Sequence, residues 1–206
     1  GIPRARPDHL LLWVTSSRIA QGGQGGLLEV DLKRSFRNGF NDEYKNTVEW
    51  INGPQAGEVA GWMRDRDGEV RYATMANRGQ LRLFQRGTRG DWAPVNLDLD
   101  QAQPLAVDTD PNTLLVARTS ATGQSEIVPF NVLTGDAGPT LYADDKYDLR
   151  DANVRFSEDG KEILGFGYAR QAWTQFWLRE SEARLQQAID QALPDRINLV
   201  LSRSRD

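Results

Sequence analysis

A turn signature that returns three times limits what this chain can fold into. It reads Asp65-Arg66-Asp67-Gly68, then Asp110-Pro111-Asn112, then Ser157-Glu158-Asp159-Gly160, each set between two apolar, strand-like runs. The step from Gly68 to Asn112 is 44 residues, and from Asn112 to Gly160 it is 48. Short strands joined by tight turns at such a period are what radially arranged four-stranded sheets require. The reading is all-β: a partial β-propeller of about four four-stranded antiparallel blades. Residues 1–206 form a single incomplete propeller domain, with one amphipathic helix inserted at about 179–193.

The strands follow from the apolar runs. Residues 8–15 read as a buried strand and 27–32 as its alternating partner, joined by Gly22-Gly23-Gln24-Gly25-Gly26. That glycine run is a hairpin loop: a phosphate cradle needs a helix N-terminus after it and usually a Gly-Lys-Ser/Thr ending, and here a strand follows. Residues 38–54, with Tyr44 and Trp50 as apolar anchors, read as an irregular crossing between blades. A full blade follows in 59–63, 69–74, 80–85 and 92–95, with Leu81 and Leu83 alternating against Arg82 and Phe84. The next occupies 104–107, 113–117, 126–130 and 139–142, where Pro129 requires an edge or a non-bonded position. A third opens with 152–156 and 162–168 and closes with 174–177. Leu185, Ala188, Ile189, Ala192 and Leu193 then recur at helical spacing until Pro194, and 196–202 resumes as a strand.

Composition narrows the function classes. The 25 basic residues are outnumbered by 29 acidic ones and are scattered, which argues against a nucleic-acid partner, since phosphate neutralisation needs clustered Lys and Arg. No apolar stretch approaches the roughly 20 residues of a membrane helix, so no membrane partner is expected. Cysteine is absent.

Candidate chemistry is sparse. His9, the lone histidine, has no evident orienting partner and reads as a surface or satisfied structural residue. Gly123-Gln124-Ser125-Glu126-Ile127 lacks the second glycine of a nucleophile elbow. Asp108-Thr109-Asp110-Pro111-Asn112 opens like a calcium loop, but Thr113 and Thr119 stand where that loop needs Gly and Glu. No catalytic residue, cofactor or metal is therefore assigned. Asp144-Asp145 and Glu180/Glu182 read as solvated faces, and Trp13, Trp62, Trp92, Trp173 and Trp177 as packing between blades. One stretch, from Tyr168 to Trp173, puts exposed aromatics and a cation in a hairpin loop; Tyr168, Arg170 and Trp173 are the candidate contacts for a peptide or partner domain.

The run from Trp62 to Arg71, then Phe156-Ser157-Glu158-Asp159-Gly160, then Leu193-Pro194-Asp195-Arg196 leading to Ser202-Arg203-Ser204-Arg205-Asp206, resembles the N-terminal propeller of bacterial prolyl oligopeptidase-family serine peptidases, including acylaminoacyl-peptidase and dipeptidyl-peptidase-like members. The resemblance implies a fragment whose parent carries its Ser-Asp-His triad on a C-terminal α/β-hydrolase domain, with this propeller gating peptide access. The implied partners are that domain and the parent's peptide substrates, in bacterial cytoplasm or periplasm. An open arc of blades adds self-association through its edges. The alternative is a stand-alone propeller serving as a protein or peptide interaction module. A propeller glycosidase or lactonase ranks last, since it needs convergent carboxylates or metal ligands.

Overall fold

The computed structural model describes residues 6–14, 26–33 and 48–201. Its sheets are all antiparallel meanders, which makes the chain mostly β and a partial β-propeller. The chain divides into two compact units. Unit 1 comprises residues 1–100 with 110–112 and 132–135, and unit 2 comprises 101–109, 113–131 and 136–206.

In unit 1, β1 (His9–Val14), β2 (Gly26–Asp31) and β3 (Val48–Ile51) form one sheet. A second sheet holds β4 (Glu58–Arg64), β5 (Val70–Asn77), β6 (Gln80–Arg86) and β7 (Trp92–Pro94) in sequence order. Leu11, Leu27, Ile51 and Val70 make a buried cluster that Trp62 and Trp92 cover. Removing each such aliphatic side chain from water stabilises by roughly 1.5–3 kcal/mol. The two indoles meet at 5.9 Å between centroids, and Trp92 Nε1 donates to the Asn52 carbonyl at 2.9 Å.

In unit 2, β8 (Ala102–Val107), β9 (Thr113–Thr119), β10 (Ser125–Asn131) and β11 (Tyr142–Asp144) form a four-stranded sheet. Strands β12 (Asn153–Phe156), β13 (Ile163–Ala169) and β14 (Trp173–Trp177) form a three-stranded one. The first strands of the two sheets, β8 and β12, are neighbours, as the inner strands of adjacent blades are. Ala117, Ile127, Leu149, Ala152, Phe166 and Tyr168 form the buried cluster. Helix α1 (Glu180–Ala192) follows β14.

The three turns that opened the sequence reading occupy equivalent places: each joins the first and second strands of its sheet. In the first, Gly68 N–H bonds the Asp65 carbonyl at 3.0 Å, and Gly68 takes a φ of 88°, the left-handed region that glycine enters without a Cβ clash. The Asp65 carboxylate receives Asp67 N–H at 3.0 Å and Glu69 N–H at 2.9 Å, so the side chain closes the loop that the backbone begins. Ser157–Gly160 repeats the design, with Glu162 N–H bonding Ser157 Oγ at 3.0 Å. Gly87–Gly90 and Ser120–Gly123 share the same backbone turn at other hairpins.

Pro129 sits in β10 just past the end of β11, where its carbonyl takes Gly138 N–H at 2.7 Å on the outer side. The proline therefore removes no ladder bond to β9.

Several expectations are corrected. The supposed irregular crossing contains β3, whose Trp50 lies against Gly26; the four-residue strand is too short to show a period. Residues 139–142 were expected as the outer strand, but β11 begins at Tyr142, and only Ala137 bridges Phe130 before it. The first and last sheets have three described strands instead of four. Leu81 is 47% exposed although Leu83 on the same face is buried, so the face is covered only along part of β6. No ladder forms along 196–201, the described part of the expected strand at 196–202. The Gly22–Gly25 part of the glycine run, Tyr44 and 202–206 lie outside the described residues.

Candidate functional site

The most connected polar cluster in unit 2 gathers around Asp144, at the end of β11. Its Oδ1 accepts the N–H groups of Lys146 (2.9 Å) and Tyr147 (3.1 Å), an Asx turn that fixes the carboxylate against its own backbone. Oδ2 accepts Tyr168 Oη at 3.0 Å and Arg170 Nη2 at 2.9 Å, while Tyr142 Oη, 3.3 Å from the same oxygen, has its one proton for the Tyr168 hydroxyl. The Arg170 guanidinium lies 5.4 Å from the Tyr147 ring centroid and 5.3 Å from that of Tyr168, within cation–π range.

Strand pairing explains the convergence. Tyr142, the first residue of β11, opposes Ile127 within β10, while Tyr168 ends the buried part of β13 and Arg170 begins the turn to β14. Tyr142 stacks on Phe176 of β14 with centroids 4.1 Å apart, so an apolar contact and a charged one span the same two sheets.

The electrostatics are those of a closed set. Burial alone would raise the Asp144 carboxyl, but the Lys146 N–H, the Tyr168 hydroxyl, the Arg170 guanidinium and the Tyr147 N–H outweigh it and hold the pKa at about 2. Tyr168 is pushed upward by burial first, then by its bonds to Tyr142 and Asp144. Arg170 is raised chiefly by its bond to Asp144. Each group holds its neighbours in the protonation state that preserves the cluster.

Of the three residues singled out in the sequence, the structure brings two together. Tyr168 is buried and Arg170 binds Asp144, so the expected exposed tyrosine is instead a core group. Trp173 is 39% exposed and lies over Gly167. Asp144 was expected on a solvated face and is buried; its neighbour Asp145 is exposed. The pattern Tyr142-x-Asp144 in a strand, with Tyr168-x-Arg170 in the next sheet, was the available signal. Glu180 lies in the solvent as expected, whereas Glu182 is buried.

The other candidates resolve locally. Ser125 Oγ accepts Leu149 N–H at 2.9 Å, and Glu126 beside it receives Thr140 Oγ1 at 2.5 Å and Arg118 Nε at 2.9 Å. Asp108 accepts Thr109 N–H and Asp110 accepts Asn112 N–H, so both carboxylates serve their own turn. His9 is half-buried, with a buried Nδ1 that has no partner among the described residues, a correction to its expected satisfied role. Trp62 and Trp92 pack as expected, but Trp13 and Trp173 are exposed, a correction to their expected packing between blades. Unit 1 also has an open groove of about 530 Å³ beside the uncovered end of β6, lined by Leu81, Leu97, Asp98 and Asp100 among others.

No family model matches the chain, and no curated protein does. Among solved structures it is similar to TolB from Acinetobacter baumannii, at 14% identity and a TM-score of 0.44. The match covers 79% of this chain and 35% of that one.

Proposed function

We propose that this chain is a non-catalytic propeller segment of a prolyl oligopeptidase-family serine peptidase, gating peptide access and scaffolding an α/β-hydrolase domain carried elsewhere in the parent. The family part rests on the sequence resemblance in the Asp-Gly turns and the Leu193-Pro194-Asp195-Arg196 segment. One observation carries the non-catalytic part: among the described residues, the most connected polar cluster of unit 2 is closed on itself. Asp144, Arg170, Tyr142 and Tyr168 satisfy one another, and the low carboxyl pKa and raised tyrosine pKa are opposite to what proton transfer near neutral pH needs.

Fluorophosphonate labelling tests this directly. The parent is expected to label on a serine outside residues 1–206, and deleting this segment is expected to speed hydrolysis of a folded protein more than that of a short peptide. A stoichiometric serine adduct within this chain would sink the proposal.

A second reading, an interaction module without an attached enzyme, is favoured by Trp173, which stays open to solvent three residues from Arg170. Under that reading Trp173→Ala abolishes partner capture while leaving no peptidase activity to change. Under the first, the same variant alters the parent's peptide KM.

A further inference from the structure

The segment that fails to form a ladder presents an edge of unusual character. Residues 197–201 read Ile-Asn-Leu-Val-Leu. Exposure alternates along them: Ile197, Leu199 and Leu201 are 65%, 36% and 71% exposed, while Asn198 and Val200 are half-buried. A period of two marks an extended chain.

One side of that chain is held by side chains acting in place of a strand. The Gln175 carboxamide donates to the Val200 carbonyl and accepts the Val200 N–H, both at 2.9 Å. Gln186 Nε2 donates to the Asn198 carbonyl at 2.8 Å, and Asn198 Nδ2 reaches Asp190 and the Leu193 carbonyl. Successive residues of an extended chain turn their main-chain groups to opposite sides. With Asn198 and Val200 turned toward Gln186 and Gln175, the groups of Ile197, Leu199 and Leu201 face the other way, and they make no main-chain bond among the described residues.

We propose that this edge pairs with the same edge of a second copy of the chain, antiparallel, with Leu199 opposite Leu199 and Ile197 opposite Leu201. A two-fold contact requires a surface complementary to itself, and this one is. Three outward residues on each copy give about six main-chain hydrogen bonds in the antiparallel pattern. Ile197 and Leu201 face each other across the axis as an apolar pair, and Leu199 faces itself. The segment carries no charged side chain and no proline, the features that natural edge strands use to prevent such pairing. The absence of charge also means that no like charges meet in this register. The inference does not depend on the peptidase family, but the second copy competes for this edge with any further strand of a longer parent.

The chain has no cysteine, so single cysteines report the register without interference. Opposed Cα atoms at a hydrogen-bonded position lie about 5.5 Å apart, within disulfide range. Leu199→Cys is therefore expected to form a covalent dimer under mild oxidation. Leu201→Cys alone is not, because its counterpart lies about 13 Å along the strand, whereas Ile197→Cys combined with Leu201→Cys is. Sedimentation of the full chain over a wide concentration range is expected to show a monomer–dimer equilibrium, which Leu199→Lys weakens by about tenfold or more through a buried like-charge pair. A monomer at every concentration overturns the proposal. So does a dimer unaffected by Leu199→Lys, or equal cross-linking of Leu199→Cys and Leu201→Cys. If Leu199→Lys does not fold, the cross-linking pattern decides the matter alone.

Discussion

Two buried tyrosines occupy equivalent strands in the two units and are held by different chemistry. Tyr72 lies on β5, the second strand of its sheet, and its hydroxyl donates to the Pro111 carbonyl at 2.5 Å while accepting Gln85 Nε2 at 3.2 Å. Gln85 continues to Asn112 at 2.8 Å, so the groups that touch the Tyr72 hydroxyl are neutral, and the Asp110 carboxylate enters only behind Asn112. Tyr168 lies on β13, also a second strand, and its hydroxyl meets a carboxylate that an arginine also binds. Both positions bury an aromatic body and must satisfy its polar tip. The neutral solution keeps its strength over a wide pH range, whereas the ionic one binds more tightly and depends on a single titrating group.

The largest difference is expected from Asp144→Ala, which leaves Arg170 facing the cluster without its counter-charge. Arg170 is two-fifths exposed, so water offsets part of the stranded charge, and the loss in urea denaturation should be about 2–3 kcal/mol, the size of lost hydrogen bonds to a buried charged group. A loss below about 1 kcal/mol, the size of an exposed pair, would show the cluster to be a surface feature.

Gly165→Ala comes next. An added Cβ there stands 2.1 Å from the Phe176 carbonyl oxygen in the adjacent strand, and overpacking of this kind costs roughly 1–3 kcal/mol. Gly79→Ala, with nothing within 4 Å of the added atom but a φ of 82°, is expected to cost only about 1 kcal/mol from backbone conformation.

Acid separates the units in a predictable direction. The Asp144 pKa lies below its ordinary 3.8, at about 2, so its contribution is complete above pH 4 and is lost as pH falls from there toward 2. Hydrogen exchange followed by mass spectrometry should show the peptides of β11 and β13 losing protection over that window before those of β5 and β6. Simultaneous loss in both would break the comparison.

Replacing the hydroxyls sharpens it further. Tyr168→Phe removes a bond to a charged acceptor, worth about 1.5–3 kcal/mol, whereas Tyr72→Phe removes neutral bonds worth about 1 kcal/mol. The smallest effect is expected at Arg184, paired with Glu180 on the exposed face of α1; Arg184→Ala should change stability by less than about 0.5 kcal/mol.

The fold was legible where local chemistry decides it. Asp65-Arg66-Asp67-Gly68 and Ser157-Glu158-Asp159-Gly160 declare their turns because the first side chain and the last glycine each do a definite job. Ser120-Ala121-Thr122-Gly123 uses the same backbone turn and was readable in the same way. Strand β3 was not legible, since four residues between polar segments carry no period and exist only because β2 offers an edge. The cluster was half legible. Tyr168 and Arg170 stand out in one loop, but Asp144 becomes their partner only through pairings of β10 with β11 and packing of one sheet on the next. Burial of a carboxylate is a tertiary fact that its flanking Asp145 and Lys146 disguise as a solvated run.

The four-residue turns also bear on how the chain reaches this state. Each closes on bonds between residues at most five apart, so each hairpin assembles without waiting for a distant segment. Loop closure over such short spans takes nanoseconds and hairpin formation microseconds. The early steps are thus parallel and fast, and the slow event is the docking of one finished sheet on another.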